Sequence, residues 1–163
     1  MITLVLGGTR SGKSAVAESI AARSPEPVTY VATGVATDDD MAARIAAHRL
    51  RRPAGWQTVE VTSDLAEVLE SIPGTVLVDA LGTWLAGIQG FHGDVDALCR
   101  ALECRAGVTV VVSDEVGMGV HPSSEMGREF RDALGDLNRR VAAVADDVLL
   151  VVAGRVLHLD EAP

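Results

Sequence analysis

Residues 7–14 read Gly7-Gly8-Thr9-Arg10-Ser11-Gly12-Lys13-Ser14, which fits the pattern G-x-x-x-x-G-K-[ST]. In this motif, backbone N–H groups of a glycine-rich loop and the N-terminus of the following helix surround phosphate oxygens. The context is the required one, because the apolar run Ile2–Leu6 precedes the loop and a helical pattern over Lys13–Arg23 follows it. Gly7 and Gly12 are expected to allow the unusual dihedral angles of the loop. The stretch therefore predicts a site for a nucleoside triphosphate.

The basic residues of the chain single out the same loop. Lys13 is the only lysine among 14 lysines and arginines. An arginine side chain is a planar fork, whereas a lysine ammonium is a compact point charge on a thin stem. We expect Lys13 to neutralise charge on the β- and γ-phosphates.

Apolar runs rich in β-branched residues alternate with helical patterns along the whole chain. This alternation predicts an α/β fold in one domain over residues 1–163, with a mostly parallel sheet flanked by helices. A short antiparallel hairpin is predicted to close the chain. Strands are predicted at Ile2–Leu6, Val28–Val31, Thr58–Val61, Thr75–Asp79, Val108–Ser113, Val148–Val152 and Val156–Leu159. Helices are predicted at Lys13–Arg23, Asp39–Arg51, Asp64–Glu70, Val95–Arg105 and Glu125–Ala145, and a loop at Gly87–Gly93.

Composition excludes some classes of function. The 163 residues carry a formal net charge of -9, so we expect no nucleic-acid partner. The first residues contain no basic segment, and their apolar run is too short for a signal peptide or a membrane span. We therefore expect a cytoplasmic protein without a membrane span.

A magnesium ion is expected beside the phosphates. Such an ion usually takes a ligand from the helix that follows the loop and a carboxylate from the end of another strand. Ser14 is the first ligand, and two apolar strands end in acidic residues, at Asp79 and at Asp114. Either acid alone could instead cap a helix or face solvent in a turn. We favour Asp79.

A basic segment with a histidine at its centre follows the second predicted strand. Residues 41–59 contain no acidic side chain in a chain that has 23 of them. On the predicted helix Asp39–Arg51, helical spacing places one histidine and three arginines on one face: Arg44, His48, Arg51 and Arg52. The imidazole could be a general base, a nucleophile or a phosphate donor, and the face could equally be a solvated surface with an idle histidine.

Further short motifs occur in a fixed order after the phosphate loop. They are Tyr30-Val31-Ala32-Thr33, Asp38–Asp40, Arg44-Ile45-x-x-His48-Arg49, Trp56–Glu60, Leu77-Val78-Asp79, Thr83-Trp84-Leu85, Glu115–Gly119 with Pro122, Arg128-x-Phe130-Arg131-Asp132 and Gly135-x-x-Asn138. Together with the loop, this ordered set resembles the bifunctional adenosylcobinamide kinase / adenosylcobinamide-phosphate guanylyltransferase family of cobalamin biosynthesis. The resemblance covers almost the full chain.

The resemblance implies a fold, two reactions and a set of site residues. The implied fold is a RecA-like P-loop NTPase domain that forms homo-oligomers. The implied substrates are adenosylcobinamide and its phosphate, with ATP and GTP as nucleotides and Mg²⁺ as cofactor. The enzyme would phosphorylate adenosylcobinamide and then transfer GMP from GTP to that phosphate through a guanylylated histidine, which matches His48. The implied nucleotide contacts are Gly7–Ser14, Ala32, Thr33, Gly34, Arg49, Leu50, Arg51, Arg52, Glu60 and Asp79, with Lys13 and His48 as the catalytic residues.

Two other functions compete with this interpretation. The first is a P-loop kinase for another small alcohol, in which His48 only binds phosphate. The second is a regulatory ATPase whose nucleotide drives association with partners. A basic stripe facing DNA often accompanies the second, and the net charge of -9 argues against it.

Overall fold

The computed structural model describes residues 1–34, 53–61 and 64–160. In this part of the chain, seven strands alternate with five α-helices and one short 3₁₀ helix. The strands are β1 (Ile2–Gly7), β2 (Val28–Ala32), β3 (Gln57–Glu60), β4 (Thr75–Asp79), β5 (Thr109–Asp114), β6 (Asp147–Val152) and β7 (Arg155–His158). The helices are α1 (Lys13–Ala21), α2 (Leu65–Ser71), α3 (Leu81–Ala86), α4 (Val95–Cys104) and α5 (Glu125–Ala142), with the 3₁₀ helix at Gln89–Phe91.

All seven strands form one sheet in the order β3-β2-β4-β5-β1-β6-β7. The pairs from β3 to β6 are parallel, and only β6 and β7 are antiparallel. The predicted mostly parallel sheet and the antiparallel C-terminal hairpin are therefore confirmed. Because parallel strands end at the same edge, the residues that follow β1 to β5 gather at one edge of the sheet.

The predicted elements match the observed ones to within a few residues. The strand Thr75–Asp79 was predicted with its observed bounds, and the last long helix ends at Ala142, three residues before the predicted Ala145. The first helix ends at Ala21 rather than Arg23. The predicted helix Asp39–Arg51 lies outside the described residues.

The sequence prediction missed helix α3. Four of its six residues are buried, namely Leu81, Gly82, Trp84 and Leu85. A helix that is buried around most of its circumference has no polar face, so it lacks the periodicity by which amphipathic helices are recognised. The predicted loop Gly87–Gly93 contains the 3₁₀ turn Gln89–Phe91.

The sheet is covered on both faces, and side chains alternate between them as the pleat requires. One face carries Leu4, Val76 and Val111 and packs against α2, α3, α4 and α5. The opposite face carries Val5, Leu77 and Val110 and packs against α1 through Ala17 and Ala21. Each large apolar side chain buried this way contributes about 1.5–3 kcal/mol. This burial holds the strand ends, and the loops that follow them, in fixed positions. None of the helices among the described residues has the length and hydropathy needed to cross a membrane.

Arg105 ties three segments together at the opposite edge of the sheet. Its guanidinium donates to the carbonyl oxygens of Leu69 and Gly74 at 2.7 Å each, and also to the carbonyl of Ile72. Its Nε donates to Thr109 Oγ1 at 3.1 Å. Burial lowers the pKa of this guanidinium. All three of its nitrogen atoms nevertheless donate hydrogen bonds to the surrounding acceptors. The side chain thus joins the end of α2 to the starts of β4 and β5.

Replacing Arg105 with alanine is expected to lower the free energy of unfolding by about 3 kcal/mol, because partly buried carbonyl groups lose their donor. Urea unfolding followed by circular dichroism measures this loss. Arg100→Ala is the matched control, since Arg100 is an exposed arginine on α4, the helix that ends just before Arg105. Its removal should change the free energy of unfolding by less than about 0.5 kcal/mol. Equal stability of the two variants would contradict this structural role.

Candidate active site

The phosphate loop connects the end of β1 to the start of α1. Ser11 N donates to Gly8 O at 3.2 Å, which closes a turn inside the loop. Gly12 has a φ of 98°, a left-handed conformation that favours glycine, and α1 begins at the next residue, Lys13. The N-terminus of α1 therefore points its partial positive charge at the loop. The expectation for Gly12 is confirmed by this geometry.

Gly7 has a different role from the one expected. It is not among the glycines with positive φ in the described residues, so an unusual dihedral angle is not the reason for glycine here. A Cβ atom at this position would lie 2.5 Å from Ser11 Oγ and 2.8 Å from Val151 O. Glycine is needed because the loop folds back closely on β1 and on the neighbouring strand β6. The residue with positive φ in the first half of the loop is Arg10, at 58°.

The turn of the C-terminal hairpin is hydrogen-bonded to the phosphate loop. Gly154, in the turn between β6 and β7, donates its N–H to Ser11 O at 2.8 Å. The Cα of Gly154 lies 3.5 Å from the position that a Cβ on Gly12 would occupy. The turn therefore fixes the middle of the loop from outside.

Lys13 reaches back over the loop toward the end of β5. Its ammonium lies 2.7 Å from Asp114 Oδ1 and donates to Gly8 O at 3.3 Å. Only 13% of the lysine side chain is exposed. The sequence prediction considered Asp114 only as a second candidate magnesium ligand, and its pairing with Lys13 was not predicted.

Ser14 and Asp79 lie next to each other across the site. Ser14 Oγ donates to Asp79 Oδ1 at 3.5 Å, and the buried Tyr30 donates its hydroxyl proton to Asp79 Oδ2 at 2.6 Å. Oxygen ligands of this kind fit Mg²⁺, which typically takes one or two carboxylates and completes its shell with phosphates and water. The structure thus places Asp79 beside Ser14, and their role as magnesium ligands stays a prediction. The contact of Tyr30 with Asp79 was not predicted.

A buried threonine sets the turn after Asp79. Thr33 Oγ1 donates to Ala80 O at 2.6 Å and accepts from Ala80 N at 2.9 Å. It also lies 2.7 Å from Thr83 Oγ1, and Thr33 N donates to Asp79 O at 3.3 Å. Gly34 lies beside Thr83, with 3.9 Å between the position of a Cβ and the Thr83 methyl group. These contacts fix the end of β2 to the end of β4, so Thr33 positions Asp79 through the backbone.

Glu60 lies at the same sheet edge but far from Lys13. In the parallel register Gly7 is opposite Asp114, Ala32 is opposite Asp79, and Glu60 is opposite Ala32. Four strand spacings separate β1 from β3, or about 19 Å. Glu60 is exposed at the end of β3. The structure therefore brings Lys13, Ser14 and Asp79 together and leaves Glu60 on the outer strand.

The basic segment lies outside the described residues. This applies to His48 and to its predicted neighbours Arg49, Leu50, Arg51 and Arg52. Their roles stay predictions. Another histidine, His121, is exposed in the loop before α5, where its Nδ1 lies 3.0 Å from Arg131 Nη1.

Three contacts of the site were missed by sequence reasoning: Tyr30 with Asp79, Asp114 with Lys13, and Gly154 with Ser11. Some signal existed for the first two, since Tyr30 is the only tyrosine and lies in an apolar strand, and Asp114 ends a strand. No local sequence pattern indicates the contact of Gly154 with Ser11, because it joins residues more than 140 positions apart.

Comparison with known proteins identifies the family. Residues 3–159 match the family described as cobinamide kinase / cobinamide phosphate guanyltransferase. The chain belongs to this family. The resemblance seen in the sequence is thus confirmed, and the family description names the same two transferase activities that the resemblance implied.

Curated relatives support the same assignment. The chain is 40% identical over 172 residues to the bifunctional adenosylcobalamin biosynthesis protein CobP of Pseudomonas aeruginosa, covering 100% of this chain and 99% of the relative. It is also 40% identical over 176 residues to CobU of Salmonella typhimurium, which has the same description, covering 94% of this chain and 97% of the relative.

Solved structures of distant proteins share the fold. An ATPase of a bacterial type III secretion system aligns with a TM-score of 0.56 at 12% identity, over 91% of this chain and 50% of that one. A Pyrococcus horikoshii protein, PH0250, aligns with a TM-score of 0.55 at 10% identity, over 96% of this chain and 84% of that one. The likeness to an ATPase agrees with the predicted P-loop NTPase fold and carries no conclusion about substrate.

Proposed function

We propose that this chain phosphorylates adenosylcobinamide with ATP or GTP and then transfers GMP from GTP to the new phosphate. The product would be adenosylcobinamide-GDP, and the released group pyrophosphate. The observation that carries the proposal is the contact between Ser14 of the phosphate loop and Asp79, next to Lys13 of the same loop, in a chain of this family.

In the kinase step, the phosphate loop would bind the triphosphate. Backbone N–H groups from Gly8 to Ser14 and the N-terminus of α1 would surround the phosphate oxygens, and Lys13 would lie along the β- and γ-phosphates. The hydroxyl oxygen of adenosylcobinamide would attack the γ-phosphorus, the bond from the γ-phosphorus to the β,γ-bridging oxygen would break, and the hydroxyl proton would pass to water. The nucleoside diphosphate leaves. This chain's contribution is positioning and charge neutralisation.

Ser14 and Asp79 would hold Mg²⁺, which would neutralise part of the phosphate charge when bound. The 3.5 Å separation of Ser14 Oγ and Asp79 Oδ1 supports this pairing. Tyr30 would keep the Asp79 carboxylate oriented, because its hydroxyl donates to the other carboxylate oxygen.

In the guanylyl step, His48 would carry the GMP group. A neutral imidazole nitrogen attacks the α-phosphorus of GTP, pyrophosphate leaves, and a phosphoramidate forms. A phosphate oxygen of adenosylcobinamide phosphate then attacks the same phosphorus, which restores the imidazole.

Further nucleotide contacts are proposed at residues of the basic segment and at the ends of β2 and β3: Arg49, Leu50, Arg51, Arg52, Ala32, Thr33, Gly34 and Glu60. We further propose that residues 1–163 act as one catalytic domain, in a cytoplasmic homo-oligomer.

Product analysis tests the proposed function. The protein is incubated with adenosylcobinamide and Mg²⁺, first with ATP alone and then with GTP added. The corrinoids are then separated, and their molecular masses are measured by mass spectrometry. We expect a product heavier by one phosphoryl group in the first reaction and by a further GMP group in the second. Phosphorylation without the second product would support the plain kinase instead, and no new product would contradict both.

Replacing Asp79 with asparagine is expected to raise the Mg²⁺ concentration needed for half-maximal kinase turnover by about 10- to 100-fold, since one charged ligand is lost. Tyr30→Phe, which removes only the supporting hydroxyl, should give a smaller shift in the same direction. Titration of turnover against Mg²⁺ measures both. Glu103→Gln is the control, because Glu103 is an exposed acid on α4, near the opposite edge of the sheet. Unchanged Mg²⁺ dependence in Asp79→Asn would exclude Asp79 as a ligand.

A further inference from the structure

The described structure pairs Lys13 with an anion of the protein itself. Lys13 Nζ lies 2.7 Å from Asp114 Oδ1, and the two side chains are 13% and 31% exposed. The other acceptor of Lys13 is the carbonyl oxygen of Gly8, at 3.3 Å. Among the described residues, the carboxylate of Asp114 is therefore the anion that this ammonium contacts.

Several contacts hold Asp114 in this place. Its strand position is opposite Gly7 in the register of β5 and β1, so it ends beside the phosphate loop. Asn138 donates its side-chain amide to Asp114 O at 3.0 Å. On the other side, a Cβ on Gly82 would lie 2.5 Å from Asp114 Oδ2, so the glycine leaves the space that this oxygen fills. The carboxylate thus lies between α3 and the phosphate loop.

We propose that Asp114 is a positioning residue that acts as the internal counter-anion of Lys13 and lowers the affinity of the site for triphosphates. This inference rests on the proposed role of the phosphate loop in nucleotide binding. A triphosphate must replace the Asp114 carboxylate at the ammonium, and the displaced carboxylate then lies close to phosphate charge. The affinity of this site should therefore depend strongly on a divalent cation.

The direction in which nucleotide affinity changes when Asp114 is replaced distinguishes this role from a merely structural one. One ammonium faces two anions when nucleotide is bound, and like charges a few ångströms apart repel even at the effective dielectric of a protein surface. A bound cation offsets part of that repulsion, so the effect of Asp114 should be largest when no cation is present. Removing a structural contact would instead weaken binding.

The test is equilibrium binding of GTP and of ATP to the full chain, measured by titration calorimetry with Mg²⁺ and, separately, with EDTA. Asp114→Asn keeps the shape of the side chain and removes its charge. We expect its Kd for both nucleotides to fall by about five- to tenfold in EDTA and by less in Mg²⁺. Asp114→Ala is the second variant, with the same expected sign, and thermal unfolding establishes that each variant is folded.

Glu115→Gln is the matched control for net charge. Its carboxylate accepts from the backbone N–H groups of Gly117 and Met118, at 2.7 Å and 3.2 Å, rather than from Lys13. Unchanged or weaker binding in both Asp114 variants would overturn the inference, as would an equal gain in Glu115→Gln. Failure of the wild-type chain to bind either nucleotide would instead contradict the proposed function, and this inference with it.

Discussion

Replacing Lys13 with alanine is expected to lower kinase turnover by about 10²- to 10³-fold, the loss typical of removing one preorganised charge from a transition state. Lys13 is the only lysine of the chain, and its ammonium is held over the loop by Gly8 O and Asp114. No arginine among the described residues shares these contacts. Steady-state kinetics with saturating nucleotide measure the loss.

Two companion variants sharpen this prediction. Lys13→Arg retains the charge but replaces a point charge with a planar fork, and we expect it to recover little of the turnover. Arg23→Ala removes an exposed basic side chain just after α1, whose guanidinium contacts only Ser19 in the described structure, and should leave turnover unchanged. Turnover of Lys13→Ala within tenfold of the wild-type value, in a folded protein, would contradict the role of this loop in phosphoryl transfer.

Replacing His48 with alanine is expected to abolish a covalent GMP label on the protein. The wild-type chain, incubated with Mg²⁺ and GTP labelled at the α-phosphorus and then denatured, should retain the label through a phosphorus–nitrogen bond. Such a bond is labile in acid and stable in base, which distinguishes it from a phosphate ester. The measurement is the radioactivity that remains with the denatured protein after each treatment.

His158→Ala is the matched control for this experiment. His158 is an exposed histidine on β7, and its Nδ1 lies 3.2 Å from Asp147 Oδ1. This variant should be labelled as strongly as the wild type. A label that survives in His48→Ala, or no label on the wild-type chain, would contradict the carrier role of His48. Phosphorylation of adenosylcobinamide should continue in His48→Ala, because that step uses the phosphate loop.

Much of the fold could be predicted from local patterns. Buried parallel strands such as Thr75–Asp79 are continuous apolar runs, and their bounds follow directly from composition. The phosphate loop is equally local, since eight consecutive residues and their flanking elements define it. Helix α3 could not be predicted, because Leu81, Trp84 and Leu85 are buried around a glycine and no polar face marks the helix.

The contacts between distant residues could not be predicted, because they depend on strand order. Strand β5 lies between β1 and β4, and this order places Asp114 next to Lys13 and Asp79 across from Ser14. The order results from crossover connections that no local pattern specifies. Sequence reasoning could therefore name both acids as candidates at strand ends and favour Asp79 as the partner of Ser14, but it could not pair Asp114 with Lys13.

We propose that two transfers occur at opposite ends of the phosphate chain of a nucleotide. The most direct test supplies adenosylcobinamide with ATP and GTP that carry one radioisotope at the γ-phosphorus, while the GTP also carries a second radioisotope at the α-phosphorus. We expect a final corrinoid product that contains both labels in equal amounts, one from each transfer. A corrinoid product that contains only the γ-label would contradict the claim and leave a simple kinase.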